Sequence, residues 1–168
     1  MMNTFLKQIM AICIVVASTQ VWSASVIGHW QTIDDDTEEP KSVVELYEKD
    51  GKLFGKVTDL LIKPDDTVCK ECRGDLKDQL IVGMDIVTGL TLKGGAYEGG
   101  EILDPENGKT YDAKIWLDGE DTLKVRGYLG IFFRTQTWHR TEPVPAVVAP
   151  KTETVETTAI EPTAVKAE

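Results

Sequence analysis

Basic residues are scarce: 18 Lys and Arg stand against 28 Asp and Glu in 168 residues, a formal net charge of −10. A surface that tracks a phosphate backbone needs the opposite balance, so nucleic acid is excluded as a partner. The chain has three cysteines and two histidines, too few for a disulfide-dense scaffold. Cys13, Cys69, Cys72, His29 and His139 do not spell a spaced metal motif, so no metal site is expected. No glycine-rich phosphate loop is present, and no Ser or Cys has a base nearby in sequence, so neither a cofactor nor a catalytic residue is expected. The longest apolar run, Ile9 to Ala17, is about half of the roughly 20 residues a membrane helix needs, which argues against a transmembrane segment.

The two chain ends differ from the middle. Lys7, the run Ile9 to Ala17 and the small residues Ser23-Ala24-Ser25 have the order of a secretory signal, so residues 1–24 are expected to be removed on export to the periplasm or beyond. Cys13 follows the bulky Ile12, which argues against lipid attachment there. Residues 141–168 hold four of the seven prolines and no aromatic residue. Such a segment buries too little apolar surface to offset its ordering entropy, and it is expected to be a disordered acidic tail.

Residues 25–140 contain eight short alternating runs and no sustained helical period. They are 27–33, 43–48, 53–61, 81–92, 96–103, 110–117, 122–128 and 132–140. Asp50-Gly51, Gly94-Gly95, Asn107-Gly108 and Asp118-Gly119 are dipeptides that tolerate positive φ in hairpins. Successive hairpins make an antiparallel meander, and closing eight strands removes both sheet edges. The expected fold is therefore all-β, an eight-stranded antiparallel up-and-down barrel. The competing two-sheet sandwich needs longer crossing connections than these turns provide.

Gly28-His29-Trp30 opens the first run and Arg134-Thr135-Gln136-Thr137-Trp138-His139-Arg140 closes the last. This resembles the calycin pattern of lipocalins and fatty-acid-binding proteins, in which an early G-x-W is covered by a late Arg. That likeness implies structural roles for Gly28, Trp30, Trp138 and Arg140, with the Arg140 guanidinium stacked on Trp30. Further stretches are Asp50-Gly51-Lys52-Leu53-Phe54-Gly55-Lys56, Cys69-x-x-Cys72, Ile102 to Tyr111 and Val125-Arg126-Gly127-Tyr128. Together they resemble the bacterial exported family catalogued as domain of unknown function 2147. The resemblance implies a lipocalin-like barrel and no settled activity. Gly130-Ile131-Phe132-Phe133-Arg134 departs from that family's pattern, which tends to place a Gly directly before the Arg.

Strand side chains alternate faces, so an inward Arg140 implies inward Trp138, Gln136 and Arg134. Tyr111, Ala113, Ile115 and Leu117 share the inner face of the sixth run by the same rule. Arg134, Gln136 and Tyr111 are the candidate ligand contacts. Arg134 either anchors a ligand carboxylate or pairs with an acidic or tyrosyl side chain of the protein itself. An acidic loop at Asp34-Asp35-Asp36-Thr37-Glu38-Glu39 would repel an anion at the mouth that Arg134 attracts inside. A small, mostly apolar or amphipathic ligand reconciles the two. The Cys69/Cys72 pair is expected as a disulfide, with a zinc site completed by distant donors or a redox pair as alternatives. The leading function is thus an exported small-molecule-binding protein. The runner-up is a surface-acting envelope module whose barrel is filled by its own side chains, and an enzyme comes third.

Overall fold

A computed structural model describes residues 24–145. Residues 1–23 of the expected leader, and the tail beyond Pro145, lie outside the described residues. The strands are β1 (Gly28–Ile33), β2 (Pro40–Lys49), β3 (Lys52–Leu60), β4 (Asp85–Lys93), β5 (Ala96–Asp104), β6 (Lys109–Leu117), β7 (Thr122–Leu129) and β8 (Phe132–Thr141), with a single 3-10 turn at Gly74–Leu76. Every strand pairs antiparallel with its sequence neighbour, and β8 returns to β1 to close the barrel in the order β1 to β8. Trp30 and Arg140 face each other in that closing register. No helix among the described residues is long and apolar enough to cross a membrane.

β4 starts at Asp85, whereas its apolar run starts at Ile81. Ile81 and Met84 are buried, but as part of the connection from β3, which bonds back to Val57 through Gly83 N–H and the Met84 carbonyl. An apolar stretch in sequence does not distinguish a strand from a connection buried by docking against the barrel. β2 in turn begins three residues before its apolar run, at Pro40.

The meander gives the barrel two unlike ends. At the floor lie the connections Asp50-Gly51, Gly94-Gly95 and residues 118–121, together with both ends of the described chain. At the mouth lie residues 34–39, 61–84, 105–108 and 130–131. The floor half is solid: Trp30, Leu46, Leu53, Leu90, Ile115 and Leu123 are each fully buried. Trp30 donates its indole N–H to the Val26 carbonyl at 2.7 Å, so the one polar atom of this large apolar plug is satisfied. The Arg140 guanidinium lies 4.2 Å from the Trp30 ring centroid. It also donates to the carbonyls of Ser25 at 2.6 Å and Glu120 at 3.0 Å. Gly28 has φ +129°, and a Cβ there would come within 3.2 Å of the guanidinium. One arginine therefore ties the N-terminal segment, the β6–β7 connection and β8 over the floor.

Candidate functional site

The mouth half encloses a cavity of about 460 Å³. Inward positions of β4 to β8 supply its apolar wall through Ile86, Ile102, Val125 and Trp138. Thr32 and Ser42, both buried, are bonded to each other hydroxyl to hydroxyl at 2.8 Å on the β1–β2 wall. Sequence reasoning passed over this pair. The signal was there, since Thr32 follows inward Trp30 by two residues and Ser42 precedes inward Val44 by two.

Tyr111, Gln136 and Arg134 all border the cavity, but at different depths. Trp138, 2% exposed, forms its base. Gln136 is half-buried above it, its side-chain carbonyl accepting from the Trp138 indole N–H at 3.3 Å. Arg134 is not in the interior: 68% of its side chain is exposed, and its guanidinium meets Asp35 at 2.6 Å. The barrel opens above Gln136, so alternation still aims Arg134 to the inner side, but no opposing wall remains to bury it. Gln136 donates to the same Asp35 carboxylate at 2.6 Å. Asp35 of the acidic loop is thus the partner for both expected anchors, and the conflict between an acidic mouth and a basic interior disappears.

The Tyr111 hydroxyl accepts from the Asn107 side-chain amide at 3.2 Å, and that amide also donates to Asp104 at 2.7 Å. The tyrosyl proton remains free to donate.

The rest of the rim is a network that sequence spacing does not show, because its members lie 7 to 72 residues apart. Lys41 on β2 contacts Asp34 at 3.2 Å and is ion-paired to Glu106. Lys63 of the β3–β4 connection pairs with the same Glu106 at 2.7 Å. The backbone N–H groups of Thr37 and Asp36, and then Lys41, hold the Asp34 carboxyl down to about 2 from 3.8. Burial pushes Glu106 up, but hydrogen bonds from Lys41 and Lys63 outweigh it and leave its pKa lowered. Burial works against the Lys41 charge too, yet its two carboxylate partners raise its pKa above 10.5.

Cys69 and Cys72 form a disulfide, with Cα atoms 5.4 Å apart. Both are buried, and Cys69 Sγ lies 3.3 Å from the Pro105 carbonyl oxygen. The bridged turn is seated on the β5–β6 connection. A Cβ on Gly108, which has φ +65°, would fall 1.8 Å from the Glu71 carbonyl oxygen, so only glycine fits under that turn. The β3–β4 connection is thereby fastened beside the mouth. Among the described residues no three His, Cys, Asp or Glu side chains gather to hold a metal ion. His29 and His139 stand on β1 and β8 in offset register.

A solved structure of similar shape is protein HP1028 of Helicobacter pylori, described as belonging to the lipocalin family. The two superpose with a TM-score of 0.63 at 21% identity, over 72% of this chain and 86% of that one. The shared feature is the lipocalin-like barrel. No curated protein matches by sequence. A family model described as "uncharacterized protein conserved in bacteria", domain of unknown function 2147, matches residues 28–140, from the first residue of β1 to Arg140 over the floor tryptophan. The chain belongs to that family.

Proposed function

We propose that this is an exported binding protein that holds one small, mostly apolar, uncharged molecule in the mouth half of its barrel. The observation that carries this reading is the cavity of about 460 Å³ above a solid floor, which falls within the roughly 300–1,000 Å³ range of small-molecule sites. Its wall is divided about evenly between apolar and polar groups, and much of the polar share is paired within the protein, Lys41 with Asp34 and Glu106 and Thr32 with Ser42. Arg134 and Gln136 both engage Asp35, so a ligand carboxylate would have to displace the Asp35 carboxylate and leave it unpaired. The Tyr111 proton instead favours a ligand with a neutral acceptor, such as a carbonyl or ether oxygen. The signal-like segment before residue 25 and the single disulfide support an oxidising compartment, the periplasm or the exterior.

The test is native mass spectrometry of the protein recovered from the cell that makes it. The expected result is one added mass per chain, released on unfolding, from an apolar and uncharged compound. A bare chain that also fails to take up a neutral apolar dye such as Nile red would contradict the reading.

A further inference from the structure

The β7–β8 hairpin ends in a two-residue turn, Gly130-Ile131, between paired Leu129 and Phe132. Around it Leu129 is 59% exposed, Ile131 89%, Phe132 73% and Phe133 60%. From Gly127 to Phe133 there is no charge, and Arg126 and Arg134 bracket the run. Along most of the barrel alternation sets apolar residues inward and polar ones outward, the inward Thr32–Ser42 pair apart. At the tip that rule fails: Phe132 and Phe133 both border the cavity mouth and stay exposed, and Phe133 also packs at a tilt against Tyr128 and under Arg126. Among the described residues, eight of the eleven exposed large hydrophobic side chains belong to mouth-end connections or this hairpin, and only Ile27, Leu92 and Val144 do not. The apolar exposure is concentrated at one end, opposite both ends of the described chain.

We infer that the β7–β8 tip is a membrane-docking wedge that inserts into the outer layer of a lipid bilayer with uncharged or zwitterionic headgroups. A second copy of the chain is the other occupant to weigh. The four tip side chains expose roughly 500 Å², short of the ~800 Å² per partner that a stable interface buries. They also project from both faces of a narrow hairpin, which a protein partner would cover on one side and a fluid acyl layer surrounds on both. Aromatic residues beside an arginine suit the headgroup boundary, where the rings sit in the apolar layer and the Arg126 guanidinium, lying over Phe133, reaches phosphate oxygens, while Arg134 stays paired to Asp35. The acidic loops beside the mouth would repel an anionic surface, which selects zwitterionic lipid. Docking in this pose sets the cavity mouth against the bilayer, although insertion does not require the cavity to hold anything.

The test uses Ile131→Trp and, as the opposite-end control, Leu92→Trp, a site 61% exposed near the floor. Each is mixed with phosphatidylethanolamine/phosphatidylcholine vesicles carrying brominated acyl chains. Emission added at position 131 is expected to shift to the blue and be quenched, and emission added at 92 is expected to do neither. Ile131→Asp, a substitution the exposed turn accommodates, is expected to cut vesicle binding about tenfold while leaving the thermal midpoint in place. Quenching at 131 no greater than at 92, or unchanged vesicle binding by Ile131→Asp, would overturn the inference. A vesicle-free dimer in sedimentation that Ile131→Asp disperses would also overturn it, assigning the tip to a second copy.

Discussion

The floor and mouth halves of this barrel are built from the same eight strands yet solve opposite problems. The floor is filled by tryptophan, leucine and isoleucine and clamped by Arg140. The mouth keeps its centre open and carries its stability on the rim, through Asp34, Lys41, Glu106, Lys63 and the Cys69–Cys72 turn. A barrel that leaves half its interior unpacked loses apolar burial there, and the floor must compensate. Packing strength and cavity volume are therefore separable along the barrel axis, and substitutions at the two ends should have different signatures.

The largest effect is expected at the floor. Trp30→Ala removes one of the two largest fully buried side chains and should lower unfolding free energy by about 3–5 kcal/mol, read from the denaturant midpoint. Replacing Cys69 and Cys72 by Ser should follow at about 2 kcal/mol, the scale for a short closed loop. Hydrogen exchange should show that loss concentrated in residues 61–84 and 105–108, with the floor strands still protected. An equal loss of protection at both ends would break the proposed division.

Acid should sharpen it. Asp34 titrates near 2 when folded against 3.8 when free, so its contribution is present above the free value and is lost as pH falls from about 4 to 2. Glu106, also lowered, acts in the same direction. Lys41, raised above 10.5, contributes below that value and loses its contribution as pH rises through the raised one. The rim should thus loosen before the floor in acid, and Asp34→Asn should flatten that part of the midpoint-against-pH curve. The smallest effect on stability is expected from Asp35→Ala, within about 0.5 kcal/mol because its Arg134 partner is largely solvent-exposed. The same change frees Arg134 and Gln136, so it should shift preference toward carboxylate-bearing ligands, measured by competition between an apolar alcohol and the matching acid.

The floor was more legible in the sequence than the mouth. Gly28, Trp30 and Arg140 carry a local motif at each end of the domain, and the hairpin dipeptides announce most of the turns, so strand number, order and closure follow from short-range chemistry. Alternation also places Tyr111, Gln136 and Trp138 along the inner wall. It misplaces Arg134 because a period-two rule reports direction and not depth: the side chain aims inward at a level where the barrel has already opened. Asp35, Lys41 and Glu106 were not readable as partners, since loop conformation and not spacing brings them together. The β3–β4 connection misled at Ile81 and Met84 for a related reason, being an irregular segment buried by docking against the barrel.

The central claim is that the open half, and not the surface, is where a ligand sits. Gly127 borders the cavity, and a Cβ there would meet Tyr111 at 3.4 Å, an ordinary contact. Gly127→Leu should therefore fill the space without displacing the floor. Titration with Nile red measures this most directly. The account predicts saturable one-to-one binding by the unaltered protein and a loss of at least about tenfold in affinity in Gly127→Leu, about 1.4 kcal/mol, with the floor strands equally protected in both. Equal dye affinity in the two proteins would place the dye outside the barrel and contradict the account.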